Sequence, residues 1–113
     1  MNKDYQHYQD SISFVGEQDG EPERELKGLI IKVFEGNNNI IKSYLARIHY
    51  GDPNEIIVAL CIFSKKEDEK LVMKLMETYK SIFSKDTFLD IMFLRDDQID
   101  EIEKVCSPFY DVN

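Results

Sequence analysis

Histidine, cysteine and carboxylate side chains are the groups through which this sequence could do chemistry. Its two histidines, His7 and His49, are far apart, and neither stands near a cysteine or in an H-x-x-E type of spacing. Zinc and non-haem iron sites need several such ligands brought together. The sequence therefore predicts no metal site.

Nucleophilic and phosphate-binding motifs are also missing. The sequence contains no G-x-S-x-G, no Walker loop and no G-x-G-x-x-G. Its two cysteines, Cys61 and Cys106, lie in strand-like and helix-like apolar stretches. We interpret them as small buried hydrophobic residues that form no disulfide framework. We therefore expect no catalytic residue, no cofactor and no enzymatic activity.

One carboxylate cluster comprises Asp96, Asp97, Asp100 and Glu101. Such a group could hold a divalent cation or an acid–base pair. Aspartate is, however, favoured at the start of a helix, and the last two carboxylates are spaced to face water beside Lys104. We therefore interpret this cluster as the solvated beginning of a helix.

A second cluster lies in the polar stretch that precedes the first predicted helix. Its loop position and density of charge indicate either a solvated loop at a helix start or a contact surface. We add to it two residues of the first central strand. The predicted partner-binding residues are Glu17, Gln18, Asp19, Glu21, Glu23, Arg24, Arg47 and His49.

The charge of the chain points to some partners and away from others. The formal net charge is −8 and the pI is about 4.7. An acidic chain repels phosphate backbones, and no basic patch with interleaved aromatic residues occurs, so we expect no nucleic-acid binding. Acidity of this kind indicates either plain solubility or attraction of a basic protein. Without a long apolar run or a signal sequence, we expect no membrane insertion and a cytoplasmic location.

The elements that position these residues are organised around the apolar stretch 40–63. A turn, Gly51-Asp52-Pro53-Asn54, interrupts it and predicts two hairpin strands. In the first strand, Tyr44 and its alternate neighbours form the expected core face. The second strand, residues 56–63, has no polar residue, which is typical of a strand covered on both faces.

The other elements are predicted from hydrophobic periodicity and from the residues that typically begin or end helices and strands. We predict a short strand at 11–15 and a helix at 23–35 that begins near Pro22. A helix at 66–84 capped by Ser64 then leads to a strand at 87–94. This βαβ unit predicts parallel strands with a right-handed connection. A last helix starts with Asp96 as N-cap and ends before Pro108, and the two aromatic residues that follow should return to the core.

The predicted fold class is α+β, with element order (β)αββαβα and a mixed sheet of three to four strands packed by helices. If the first strand forms, the order is that of a split βαβ, or ferredoxin-like, arrangement with an extra C-terminal helix. If it does not, the sheet has three strands. We expect residues 1–10 to be a flexible polar arm and residues 11–113 a single domain.

Several segments resemble the C-terminal domain of the bacterial enhanced-serine-sensitivity (SseB) proteins. They are the strand around Tyr44-Leu45-Ala46, the apolar stretches 57–62 and 89–94, and the closing Pro108-Phe109-Tyr110. Residues 15–24 resemble stand-alone versions of this domain, and the similarity covers about residues 11–110. The resemblance implies no catalytic residues, and the family name reports a phenotype, not a mechanism.

Two functional hypotheses follow. The first is a non-enzymatic protein-interaction domain, either regulatory or of the immunity type that blocks a basic toxin. It rests on the charge and on the missing active site. The alternative is a small-molecule sensor, for example of serine, because amino-acid-binding regulatory modules share the β-α-β-β-α-β order. The sequence leaves the oligomeric state open.

Overall fold

A mixed β-sheet with helices on both faces forms the framework of the protein. The computed structural model describes residues 12–84, 87 and 89–112. The predicted arm at 1–10, the start of the first predicted strand and Phe88 of the predicted strand 87–94 lie outside these residues. The strands are β1 (Ser13–Glu17), β2 (Ile40–His49), β3 (Ile57–Ser64), β4 (Asp90–Phe93) and β5 (Tyr110–Asp111), and the helices are α1 (Glu21–Phe34), α2 (Glu69–Lys80) and α3 (Asp96–Glu103).

The strands lie in the order β1-β2-β3-β4, and β5 also pairs with β2. Strand β2 is antiparallel to β1, β3 and β5, whereas β3 and β4 are parallel. The parallel arrangement predicted for the two strands joined by α2 is therefore confirmed. So is the α+β class with a mixed sheet, to which β5 adds a fifth, two-residue strand.

The ferredoxin-like version of this prediction is wrong. A split βαβ unit needs parallel strands with another strand between them, but β1 and β2 are adjacent and antiparallel. The reason is the place where β1 stops. Glu17, the last residue of β1, lies opposite Ala46. The start of β2 at Ile40 is therefore about 20 Å beyond the end of β1, in the direction in which β1 runs. Helix α1, about 21 Å long for its 14 residues, covers that distance, and β2 then returns beside β1.

The two faces of the sheet carry separate hydrophobic clusters. Helices α1 and α2 pack on one face, against residues that include Leu45, Leu60 and Ile62. Helix α3 packs on the other face, against residues that include Tyr44 and Cys61. Strand β3 is thus covered on both sides, as predicted. On the other face of β2, Ser43 and Leu45 are also buried, whereas Arg47 is exposed.

The helix ends differ in detail from the sequence prediction. The cap of α2 is Asp68 and not Ser64, and the hydroxyl of Ser64 donates to the backbone oxygen of Lys66 at 2.8 Å. Helix α3 begins at Asp96, one residue after the cap position at Arg95. There the buried Gln98 accepts a hydrogen bond from the Arg95 backbone N–H at 2.8 Å. Asp96 is therefore the first helical residue, and the side chain of Gln98 satisfies the free backbone donor.

Replacing Asp68 by alanine should lower the free energy of unfolding by about 1 kcal/mol. Its carboxylate accepts from the backbone N–H groups of Lys70 at 2.9 Å and Leu71 at 3.3 Å, and alanine leaves both without this partner. Urea denaturation measures the loss. The variant Asp68→Ser keeps an oxygen acceptor and should recover most of it; equal losses in both variants would contradict the capping role.

The C-terminal segment returns to the core, as predicted. Phe109 and Tyr110 pack against the cluster under α1 and α2, and the Tyr110 ring meets the ring of Phe34 edge-on at 5.0 Å. Strand β5 pairs with Lys42 and Ser43, on the side of β2 that β1 also uses. No pattern in the sequence predicts this two-residue strand.

Candidate functional site

The polar segment, residues 17–25, connects β1 to α1 and contains most of the predicted site. It carries five carboxylates against a single guanidinium. Its backbone continues along the sheet edge, because the N–H of Gln18 donates to the carbonyl oxygen of Leu45 at 3.0 Å. The amide of Gln18 also donates to Glu23 at 3.5 Å. The segment is therefore an ordered extension of β1 that passes directly into a helix.

Lys27, in the second turn of α1, forms ion pairs with two carboxylates of the polar segment. Its ammonium group pairs with Glu17 at 3.5 Å and with Asp19 at 3.4 Å. It also lies 5.9 Å from the centre of the Phe109 ring, within the range of a cation–π contact. Only 13% of the Lys27 side chain is exposed, so water screens these pairs less than it screens a surface pair.

Asp19 has an altered acidity because of this cluster. Its partial desolvation favours the neutral form, but the charges of Lys27 and Arg24 outweigh that and lower the pKa of Asp19 below its ordinary value. Arg24 contacts the same carboxylate at 3.4 Å, from a largely exposed position. Asp19 is therefore ionised and held in place by two cations of α1.

Replacing Lys27 by methionine should raise the pKa of Asp19 towards its ordinary value. Methionine keeps the apolar stem against Phe109 but removes the charge that favours the ionised carboxylate. An NMR titration of the Asp19 carboxyl carbon measures the shift. Lys32→Met, an exposed change on the same helix, is the control and should leave the titration unchanged.

The C-terminal segment also contacts the polar segment. One oxygen of Glu17 accepts from the backbone N–H of Ser107 at 3.1 Å, while the other faces Lys27. Sequence reasoning missed Lys27, Ser107 and Phe109 as parts of this site. A signal existed only for Lys27, which follows the acidic stretch on the first turns of a helix. The other two are distant in sequence, and only the path of the chain after α3 brings them here.

Two carboxylates of the segment point outwards. Glu21 and Glu25 are exposed, lie four residues apart on α1 and have no ion-pair partner within the described residues. Residues at this spacing lie on the same side of a helix. Glu17 and Asp19 are therefore paired with Lys27 and Arg24, whereas Glu21 and Glu25 present uncompensated charge to the solvent.

Arg47 and His49 belong to the part of β2 that pairs with β1. They lie on the same face of the sheet as Leu45, which α1 covers. Arg47 is exposed and lies over Gly16, where a Cβ atom would come within 2.7 Å of its guanidinium. His49 pairs with Ser13 at the other end of β1, and its Nδ1 accepts from the Gly51 backbone N–H at 3.3 Å. The structure thus places Arg47 next to the polar segment and His49 one strand length away.

The cluster at the start of α3 forms local ion pairs. Asp97 contacts Arg95 at 3.1 Å, and the hydrogen bond from Arg95 lowers the pKa of Asp97. Glu101 faces Lys104 at 3.5 Å. Within the ranges that the structure describes, no group of three or more histidine, cysteine, aspartate or glutamate residues could hold a metal ion.

Both cysteines are buried, as predicted, and neither has the environment of a reactive thiolate. Burial raises the pKa of Cys61 far above its ordinary value. For Cys106, burial raises the pKa to about 11. A thiol with a raised pKa is a poor nucleophile at neutral pH. The two thiols therefore act as packing groups beneath α3.

A further charged cluster ties α3 to the sheet. The hydroxyl of Tyr44, on a residue with no exposed surface, donates to Glu103 at 2.5 Å. Lys42 donates to the same carboxylate oxygen at 3.1 Å and lies 4.0 Å from Asp111 of β5. The hydrogen bonds from Tyr44 and Lys42 lower the pKa of Glu103, and burial raises the pKa of Tyr44. This cluster lies on the α3 side of the sheet.

Comparison with known proteins gives one clear result. A family model described as the SseB protein C-terminal domain matches residues 16–111, from Gly16 in β1 to Asp111 in β5. Nothing matches among the curated proteins or among the solved structures. Among the described residues, no helix is long and apolar enough to cross a membrane. The match covers all three helices and the whole sheet except the first three residues of β1. The chain therefore belongs to the SseB C-terminal domain family.

Proposed function

We propose that this protein is a non-enzymatic interaction domain that binds a basic protein through the polar segment, residues 17–25. The observation that carries the proposal is the way this acidic segment is held. Lys27 and the backbone N–H of Ser107 fix Glu17 at the base of the segment. A pre-ordered surface loses less entropy on binding than a freely moving loop.

The charge distribution supports a basic partner. Glu21 and Glu25 face the solvent without a partner among the described residues, and the whole chain carries a net charge of −8. Such a field accelerates encounter with a positively charged surface. Arg47 is exposed beside the segment and adds a hydrogen-bond donor to this surface. An immunity-type or a regulatory protein would both use binding of this kind.

The test compares two charge-reversed variants in a binding experiment. The immobilised chain is exposed at low salt to a soluble extract of the source cells, and retained proteins are identified by mass spectrometry. The variant Glu21→Lys/Glu25→Lys alters the polar segment. The matched control, Glu67→Lys/Glu69→Lys, makes the same change of charge at the start of α2, where both residues are also exposed.

We expect a basic protein to be retained by the unaltered chain and by the control, and to be lost with the polar-segment variant. Added salt should release it, since screening weakens exposed charge pairs. The proposal is wrong if no protein is retained specifically, or if both variants lose it equally. The amino-acid-sensing alternative drew on the element order β-α-β-β-α-β, which the chain has, although the strands of its sheet are not arranged as in a ferredoxin-like fold.

A further inference from the structure

An open groove of about 390 Å³ lies between α1 and α2, and Leu29, its first lining residue on α1, lies one helical turn after Glu25 of the polar segment. Helix α1 contributes Leu29, Lys32 and Val33, and α2 contributes Lys74 and Thr78 among others. Leu29 and Val33 are only partly buried by the fold. The groove therefore has an apolar floor that the described residues do not cover.

The rim of the groove is opposite in charge to the rest of the protein. Lys32 and Lys74 are exposed, and their ammonium groups have no ion pair or hydrogen bond within the described residues. Glu77 is the single carboxylate among the lining residues. On a chain with a net charge of −8, two unpaired lysines beside an apolar floor form a local positive site.

The polar groups of the lining do not suit a small polar ligand. The hydroxyl of Thr78 donates to the backbone oxygen of Lys74 at 2.9 Å, and that of Ser81 donates to the backbone oxygen of Thr78 at 2.6 Å. Both hydroxyl protons are therefore used by backbone oxygens of α2. Only the flexible lysines remain as donors, whereas small-molecule sites have several fixed polar groups that set orientation.

Two exposed residues at the borders of the groove favour a protein segment instead. Met73 is 68% exposed and lies four residues before Glu77, so it stands beside the α2 rim. Gly28 lies four residues before Lys32 in α1, and no atom lies within 4 Å of the place where its Cβ would be. A mid-helix glycine costs helix stability, and no contact among the described residues requires this one. A missing side chain there lets another backbone approach closely.

We propose that this groove binds an acidic amphipathic helix of a partner protein. Apolar side chains of that helix rest on Leu29, Val33 and Met73, and its carboxylates pair with Lys32 and Lys74. This is the helix-in-groove mode of recognition, with charge complementarity at the rim. The lining of the groove shares no residue with the polar segment, and the two proposed partners have opposite charges, so either proposal can fail while the other stands.

The test uses a synthetic peptide of about 16 residues with leucines at i, i+3, i+4 and i+7 and glutamates on both flanks. A second peptide has lysine in place of every glutamate. Each is titrated into ¹⁵N-labelled protein while backbone amide shifts are recorded. We expect saturable shifts centred on Leu29, Lys32, Val33 and Lys74 with the acidic peptide, and none of these with the basic one.

Three variants complete the design. Lys74→Glu should weaken peptide binding roughly fivefold, as expected for reversal of an exposed charge pair. Lys66→Glu makes the same change outside the groove and should leave the affinity unchanged. Gly28→Gln places a neutral side chain in the proposed path and should weaken binding roughly tenfold. The same substitution should make the free protein more stable, because glutamine is the better helix former, which excludes misfolding as the cause.

Several results would overturn the proposal. They are equal binding of the basic peptide, shifts spread outside the groove, no saturable shift at all, or no effect of Lys74→Glu and Gly28→Gln. Concentration-dependent shifts of the groove amides without any peptide would identify a second copy of this chain as the occupant, and would also reject the proposed partner.

Discussion

Replacing Leu60 by alanine is expected to lower the free energy of unfolding by about 3 kcal/mol, which is a large part of the stability of an ordinary domain. Leu60 has no exposed surface and lies in the middle of β3, beneath α1 and α2. Alanine removes the buried methyl groups and leaves a cavity that a strand paired on both sides cannot close.

Chemical denaturation followed by circular dichroism measures this loss at constant m-value. The control is Met73→Ala on α2, where the side chain is 68% exposed and the change should stay within about 0.5 kcal/mol. A loss at Leu60 as small as that of the control would mean that β3 is not covered by the two helices.

Replacing Glu103 by alanine should lower the free energy of unfolding by about 2 kcal/mol, which is unusually large for a residue with an exposed side. The cost arises at Tyr44, whose hydroxyl has no access to water and loses its acceptor. The matched control is Glu101→Ala on the same helix. Glu101 forms an exposed pair with Lys104, so its removal should change stability by less than about 0.5 kcal/mol.

A double-mutant cycle separates this effect from the loss of the Lys42 ion pair. In a Tyr44→Phe background no hydroxyl is left without a partner, so Glu103→Ala should then cost much less than it does alone. An unchanged cost in that background would assign the effect to Lys42 or to the helix itself.

The same cluster predicts a dependence on pH. The pKa of Glu103 is lowered in the folded state by hydrogen bonds from Tyr44 and Lys42, relative to its ordinary value of 4.5. A depressed carboxyl pKa stabilises the fold above the unfolded value, and this contribution is lost as pH falls through the folded value. The stability difference between the unaltered protein and Glu103→Ala should therefore shrink below about pH 4.5.

The parts of the fold that were predictable are those with a strong local signal. The apolar run in β3 indicated burial on both faces, and the helix between β3 and β4 was long enough to require a parallel connection. Strand β5 has two residues, too few for any periodicity, and its pairing depends on where the chain returns after α3. The antiparallel placement of β1 depended on where that strand ends, which composition does not show.

In the candidate site, too, only the features with a local sequence signal were predictable. The density of charge in residues 17–25 is visible in the sequence, and so is the exposure expected of Glu21. The contact of Lys27 with the Phe109 ring is not visible, because only the folded chain brings these two residues close. The α1–α2 groove was not predictable either, because it results from the packing of two helices. The sequence of each helix alone shows only ordinary amphipathic periodicity.

The pairing of β5 with β2 also has a consequence for synthesis of the protein on the ribosome. Strand β2 can pair with β3 as soon as that hairpin has emerged. Among the described residues, only β5 pairs with the other side of the Lys42–Ser43 stretch, and it cannot do so until Tyr110 has been made. Because translation adds only about 5–20 residues per second, this edge stays open for seconds in every nascent chain. During that interval a chaperone or another nascent chain has access to the part of β2 that β5 later covers.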